Sequence, residues 1–146
     1  MAPVTEPDVR QMVAEFNQRD VSKVVEQYAP DAVFQVPVLD APIRGKEAIR
    51  SYLTGLFTAF PDWTMDLKKV IIQGDEVVLV NTVQGTHTGP YTGSDGQAIA
   101  PTNEKVAQQQ LTRVVINDQG KISLFHSFGN PGKMKRLLRP PKVPPQ

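Results

Sequence analysis

Two histidines, His87 and His126, are the side chains of this chain best suited to carry a proton near neutral pH. The last apolar stretch alternates, so Ile122, Leu124, His126, Phe128 and Asn130 share one side, and Ser123, Phe125, Ser127 and Gly129 the other. The first set is the more apolar and is assigned to the interior. There His126 would sit beside a phenylalanine and two aliphatic side chains, where an imidazole stays neutral unless an acid is near. It would shuttle a proton, fix a ligand carbonyl, or simply be a hydrogen-bonded core residue. His87 lies toward the end of the stretch VVLVNTVQGTHTG, Val77 to Gly89, which reads as a long strand, on the face that carries Leu79, Asn81 and Val83. It reads either as part of a pocket wall or as a core histidine. Upstream of His126, Gln108, Gln110 and Thr112 share one face of a strand expected to be central. So many uncharged hydrogen-bonding groups line a polar-patched pocket or face solvent; period alone does not separate the two.

Other chemistries find no footing. No cysteine is present, which removes disulfides, thiolate nucleophiles and sulfur-ligated metals. No carboxylate lies at ligand spacing from either histidine, which argues against a metal site. Serine-hydrolase elbows, phosphate loops and dinucleotide fingerprints are absent, so the expectation is a protein without a cofactor. With 16 basic and 15 acidic residues the chain is nearly neutral and offers nucleic acid no electrostatic footprint. No apolar run approaches the roughly 18 residues of a membrane span, and no signal-peptide core is evident, so no membrane association and a cytoplasmic location are expected.

The elements that must position these groups follow from periodicity. At 146 residues the chain is long enough for one domain with a real core. Thr5 and Asp8 start a helix carrying Val9, Met12, Val13 and Phe16; a short second helix from Asp20 or Ser22 puts Val21, Val24, Val25 and Tyr28 on one stripe before Pro30. Ala32 to Val38 alternates as an edge strand with Phe34 inward, and Asp40 to Gly45 reads as a loop. A third helix from Lys46 buries Ile49, Tyr52, Leu53, Leu56 and Phe60 and stops at Pro61. Trp63 to Gln73 is a strand with Trp63, Met65 and Leu67 together and an irregularity at Lys68-Lys69. Gly74-Asp75 turns into the central strand, and Pro90 to Asn103 is a long loop or flap. Lys105 to Ile116 and Lys121 to Gly129 form a hairpin about Asn117-Asp118-Gln119-Gly120. Residues 1–138 are read as a single domain and 139–146, RPPKVPPQ, as an extended proline-rich tail.

Three helices followed by a strand meander make an α+β layer arrangement whose curved sheet leaves a cavity. Tyr28, Phe34, Tyr52, Leu56, Trp63, Met65, Asn81, Gln108, Gln110, Thr112 and Phe128 are the candidate ligand contacts. His87, His126 and Asn130 are the candidate catalytic groups.

Five segments, YAPDAVF (28–34), RGKEAI (44–49), FPDW (60–63), GTHTG (85–89) and GKI (120–122), resemble the SnoaL-like polyketide cyclase family of the nuclear-transport-factor-2-like superfamily. The resemblance runs from about Val9 to Leu138 and is most specific at GTHTG. It implies a cone-shaped α+β barrel, three N-terminal helices packed in a curved, mostly antiparallel sheet, and homodimers that pair through the outer sheet face. In such cyclases an acidic residue on the penultimate strand is the general acid/base of an intramolecular aldol closure. That position falls here on Gln110 or Thr112, the family's site histidine on His87, and its tryptophan and aspartate after Gly-Lys-Ile on His126 and Asn130. Two readings follow. One is an enzyme acting on a polyketide-like or hydrophobic carbonyl compound, with His126 or His87 moving the proton and Gln110 and Asn130 holding an enolate oxygen. The other is a non-catalytic module for a small hydrophobic ligand. A ketosteroid-isomerase-like transfer is weaker, for want of a carboxylate base.

Overall fold

Thr5 and Asp8 cap the first helix reciprocally, each side chain bonded to the other's backbone amide, and α1 runs Glu6–Phe16 with Val9 and Val13 buried. Asp20 caps α2, Val21–Glu26, which buries Val24 and Val25. The remaining elements of the computed structural model, which describes residues 3–92 and 96–138, are β1 Tyr28–Gln35, β2 Ile43–Arg44, α3 Lys46–Ala59, β3 Thr64–Gln73, β4 Glu76–Thr86, β5 Tyr91–Thr92, β6 Ala98–Ile99, β7 Lys105–Ile116, β8 Ile122–Phe128 and α4 Gly132–Leu137. The tail expected at 139–146 lies outside the described residues.

One sheet has the order β2-β1-β8-β7-β4-β3, and only the β1–β8 pair is parallel. This is the expected α+β arrangement: a curved, mostly antiparallel sheet with the helices over its inner face. The side chain of Asn17 extends the open edge of β3, its amide donating to the Met65 carbonyl at 2.9 Å and its carbonyl accepting from the Met65 amide at 2.8 Å. That pair anchors the end of α1 to the strand that carries part of the cavity wall.

Several expectations need correcting. Tyr28 is not the last turn of a helix but the first residue of β1, because Pro30 disfavours helical backbone just before it. The strand lies one place in from the edge, since two residues of the expected 40–45 loop pair with it as β2. The expected 90–103 loop contains the small β5–β6 hairpin. After Pro131 the chain forms α4, whose Met134 returns to the core.

The irregularity at Lys68-Lys69 is present as a register shift between Leu67 and Lys69. A second shift went unforeseen. Ile116 pairs with Ile122 and Val115 with Leu124, so Ser123 is an extra residue, and its hydroxyl bonds the Val115 carbonyl at 3.2 Å. The bulge reverses which side chains of β8 face inward.

Candidate ligand cavity

A cavity lies between the inner sheet face and the helices. Phe34 and residues Val36 to Val38 close it from β1 and the segment after it; Tyr52, Leu53 and Leu56 from α3; Phe16 from α1. Trp63, Met65 and Val83 form the wall on the β3–β4 side, Gln108, Gln110, Phe125 and Ser127 that of the C-terminal hairpin, and Met134 of α4 completes it. Phe125 and Phe34 stack nearly parallel, centroids 5.1 Å apart, and Tyr52 tilts against Phe34 at 5.4 Å. The space open to the centre of a water-sized sphere is about 40 Å³, room for a few waters. A ligand with rings enters only if side chains give way, and the unbranched Met134 is the most adaptable.

The wall holds neutral polar groups only. Burial, reinforced by the neighbouring Tyr91, pushes the Tyr52 phenol far above its ordinary pKa of 10.0, so it stays protonated. Gln108 Nε2 donates to the Pro131 carbonyl at 2.6 Å, tying β7 to the start of α4. Behind Gln110 and Ser127, the buried Asn81 and Thr112 join them in a hydrogen-bonded line. No carboxylate and no imidazole among the described residues is on the wall. Among the described residues no three His, Asp or Glu side chains converge as metal ligands would.

Of the candidate contacts, Phe34, Tyr52, Leu56, Trp63, Met65, Gln108 and Gln110 line the cavity. Asn81 and Thr112 support it from behind. Tyr28 is buried against Phe34 and Phe125, outside the lining.

The candidate catalytic groups are not brought together. His126 faces outward, opposite Arg113 and stacked on Phe128 at 3.9 Å, because the bulge at Ser123 turns Phe125 and Ser127 inward instead. Phe128, expected as a ligand contact, is half-exposed on that outer side. Asn130 lies past the strand and is exposed, its Oδ1 accepting from the Gly132 amide at 2.9 Å to shape the entry to α4. An interior carrying both imidazoles is therefore not what the hairpin forms.

His87 is fully buried, yet it does not line the cavity. Its ring stacks on Phe60 at 5.3 Å, and Phe60 packs on Trp63 at 5.2 Å. Nδ1 lies 3.1 Å from Thr102 Oγ1, while Nε2 has no partner among the described residues. A bare lone pair is buried more readily than a bare N–H, which favours the tautomer donating from Nδ1 to Thr102. Burial lowers its pKa from the ordinary 6.5, with the Glu104 carboxylate pulling the other way. Its backbone amide donates to the Glu104 carbonyl and its carbonyl accepts from the Asn103 amide, so the residue pins the end of β4 to the segment entering β7.

Asp62 performs the corresponding task on the other side. Its carboxylate accepts from the Thr86 amide at 2.7 Å and the Thr86 hydroxyl at 2.9 Å. Burial raises its pKa, but these bonds and the nearby Arg19 outweigh it, and the net shift is downward from 3.8. Gly85 permits this approach, since a Cβ there would meet Trp63 Cε3 at 2.8 Å.

Sequence reasoning missed Ser127, Phe125 and Met134 as wall residues. The Phe125–Ser127 alternation was visible, but the bulge that selects it leaves no mark on the hydrophobic period.

Residues 7–127 match the sequence profile of the SnoaL-like polyketide cyclases. No curated protein matches the chain. Among solved structures, AclR from Streptomyces galilaeus, a proposed hydroxylase, is 27% identical with a TM-score of 0.70 over 93% of this chain and 82% of its own. A proposed SnoaL-like polyketide cyclase from Jannaschia sp. CCS1 is 21% identical, TM-score 0.70, over 97% and 98%. A protein with a ketosteroid isomerase-like fold from Catenulispora acidiphila DSM 44928, solved with trimethylamine, is 14% identical, TM-score 0.69, over 87% and 88%. The last two show the shared cone-like fold.

Proposed function

The chain belongs to the SnoaL-like polyketide cyclase family, and from that premise we propose that it binds a small hydrophobic carbonyl compound of polyketide-like character in the cavity, without a side-chain acid or base at the bound molecule. The observation that carries this reading is the wall itself: aromatic and aliphatic side chains with Tyr52, Gln108, Gln110 and Ser127 as neutral hydrogen-bonding groups. An aldol closure or isomerisation needs a group that takes and returns a proton near neutral pH. Among the described residues such a group is absent from the lining, and the carboxylate position of the cyclases falls on Gln110 or Thr112.

Non-denaturing mass spectrometry of the gently purified chain tests it. The expected result is one organic molecule retained per chain and lost in Gln110→Trp, which fills the cavity from a partly buried site. Absence of any retained molecule, with no shift of cavity-residue resonances on adding aromatic ketones, rejects the reading.

A second reading, turnover by proton transfer, draws on family membership and on the unpartnered Nε2 of His87. It requires His87 to reach the ligand past Phe60 and Trp63. Loss of measurable cyclisation or isomerisation in His87→Gln, with the fold and ligand retention intact, would favour it.

Homodimerisation belongs to the same proposal. Leu111 and Phe128, paired across β7 and β8, and Ile71 on β3 are large apolar side chains left about half-exposed on the outer sheet face. Apolar exposure on one sheet face is what an interface between two copies would cover.

A further inference from the structure

Gln110, Asn81, Thr112 and Ser127, on three neighbouring strands, form a single line of hydrogen bonds that opens into the cavity at both ends. Its two middle members, Asn81 and Thr112, are 1% and 0% exposed, so water does not complete their bonding. Thr112 has one hydroxyl proton. Its Oγ1 lies 2.9 Å from Asn81 Oδ1, which only accepts, so the proton points there. Ser127 Oγ, 2.8 Å from the same Thr112 oxygen, must then be the donor of that pair. Its only proton is thereby engaged, and Ser127 presents the cavity with lone pairs alone. At the other end Asn81 Nδ2 is directed at Gln110 Oε1, at 3.5 Å, which leaves the Gln110 amide with protons to donate.

We propose that Thr112 and Asn81 are positioning residues that set the hydrogen-bond polarity of the cavity, so that it selects a compound bearing a hydroxyl for Ser127 and a carbonyl for Gln110, a hydroxy ketone or acylphenol. The proposal rests on the reading of this cavity as the binding site. It adds what that reading lacks, a reason why one oxygenated hydrophobe is preferred to another. A ligand group of the wrong polarity would face a lone pair with a lone pair, and a buried mismatch costs more than a missing bond. Phe34 and Phe125 on the same wall suit the ring of such a compound.

Calorimetric titration of the whole chain with four single-ring probes tests it: ethylbenzene, 4-ethylanisole, 4-ethylphenol and acetophenone. The unsubstituted protein is expected to bind 4-ethylphenol about tenfold tighter than 4-ethylanisole, and acetophenone tighter than ethylbenzene. Ser127→Ala should erase the preference for the phenol and leave that for the ketone. Thr112→Val releases the Ser127 proton, so 4-ethylanisole should gain affinity and the phenol preference should fall below about threefold; Thr112→Ser should restore it. A gain for the ether is not what loosened packing produces. An equal phenol preference in the unsubstituted protein and Thr112→Val, or none in the unsubstituted protein, overturns the proposal while leaving the cavity reading in place. Failure of every probe to bind, ethylbenzene included, removes the cavity reading and this inference with it. Should Thr112→Val fail to fold, Thr112→Ala, which likewise frees the Ser127 proton, makes the same comparison against Thr112→Ser.

Discussion

His126 and Phe128 stand on the outer side of β8, Phe125 and Ser127 on the inner, and one extra residue at Ser123 separates this arrangement from its opposite. His126→Gln is therefore expected to leave ligand retention unchanged, as read by non-denaturing mass spectrometry; a loss of retention would mean that the His126–Phe128 stacking on the outer face reaches the cavity. His87 carries a different consequence. Its folded pKa is depressed, so just below the ordinary 6.5 the unfolded chain holds the extra proton and acid favours unfolding. Stability from this group is complete above about pH 7 and declines as pH falls through 6.5 toward the folded value. Urea unfolding from pH 7 to pH 5 should show that slope, and His87→Gln should flatten it while lowering stability at pH 7 by about 1 kcal/mol. An unaltered slope in the variant would assign the acid sensitivity elsewhere. Asp62 does not confound this window. Its lowered pKa places its contribution above the ordinary 3.8, to be lost only as pH falls through the folded value beneath that.

Among the elements, α3 and β4 met their expected spans closely, because each carries a long, unambiguous period: Ile49, Leu53 and Leu56 on one, Val77 through Val83 on the other. The failures fall on short elements. Two residues suffice for β2 and for each strand of β5–β6, too few to show alternation, and α4 is six residues with Met134 buried and Leu137 partly so, too short to show a period. Two glycines that look alike in sequence differ in what surrounds them. A Cβ at Gly89 would lie 1.9 Å from the Thr58 carbonyl oxygen, a backbone atom that has no freedom to move aside. At Gly55, inside α3, it would meet the Tyr91 ring at 3.5 Å, an ordinary contact. Gly89→Ala should therefore destabilise by at least about 3 kcal/mol, whereas Gly55→Ala should stabilise by up to about 1 kcal/mol through helix propensity. Chemical denaturation of the two variants measures both signs; a stabilised Gly89→Ala would mean that the segment after β4 does not run this close to the end of α3.

For the whole molecule, the sheet has an inner face covered by helices and an outer face where Leu111, Phe128 and Ile71 stay open. Equilibrium sedimentation at micromolar concentration should report a dimer mass, and Phe128→Asp a monomer, since a charge buried at a dimer centre without a partner is strongly unfavourable. A monomer in the unsubstituted protein would sink the assembly proposal without touching the cavity. The α+β class, the order of the main elements and the inward set on β4 were all decided by the amino-acid sequence on its own, whereas which way the Gln108, Gln110 and Thr112 face of β7 points was not. Amphipathic period, caps and turn residues act over a few neighbours, and those neighbours are written side by side. Tertiary structure alone chose the inward face of β8, put one imidazole outside and the other behind Phe60, and brought Met134 to the cavity. Pairing between strands far apart in the chain settles a bulge, and a shift of one residue exchanges every side chain beyond it at almost no change in local preference.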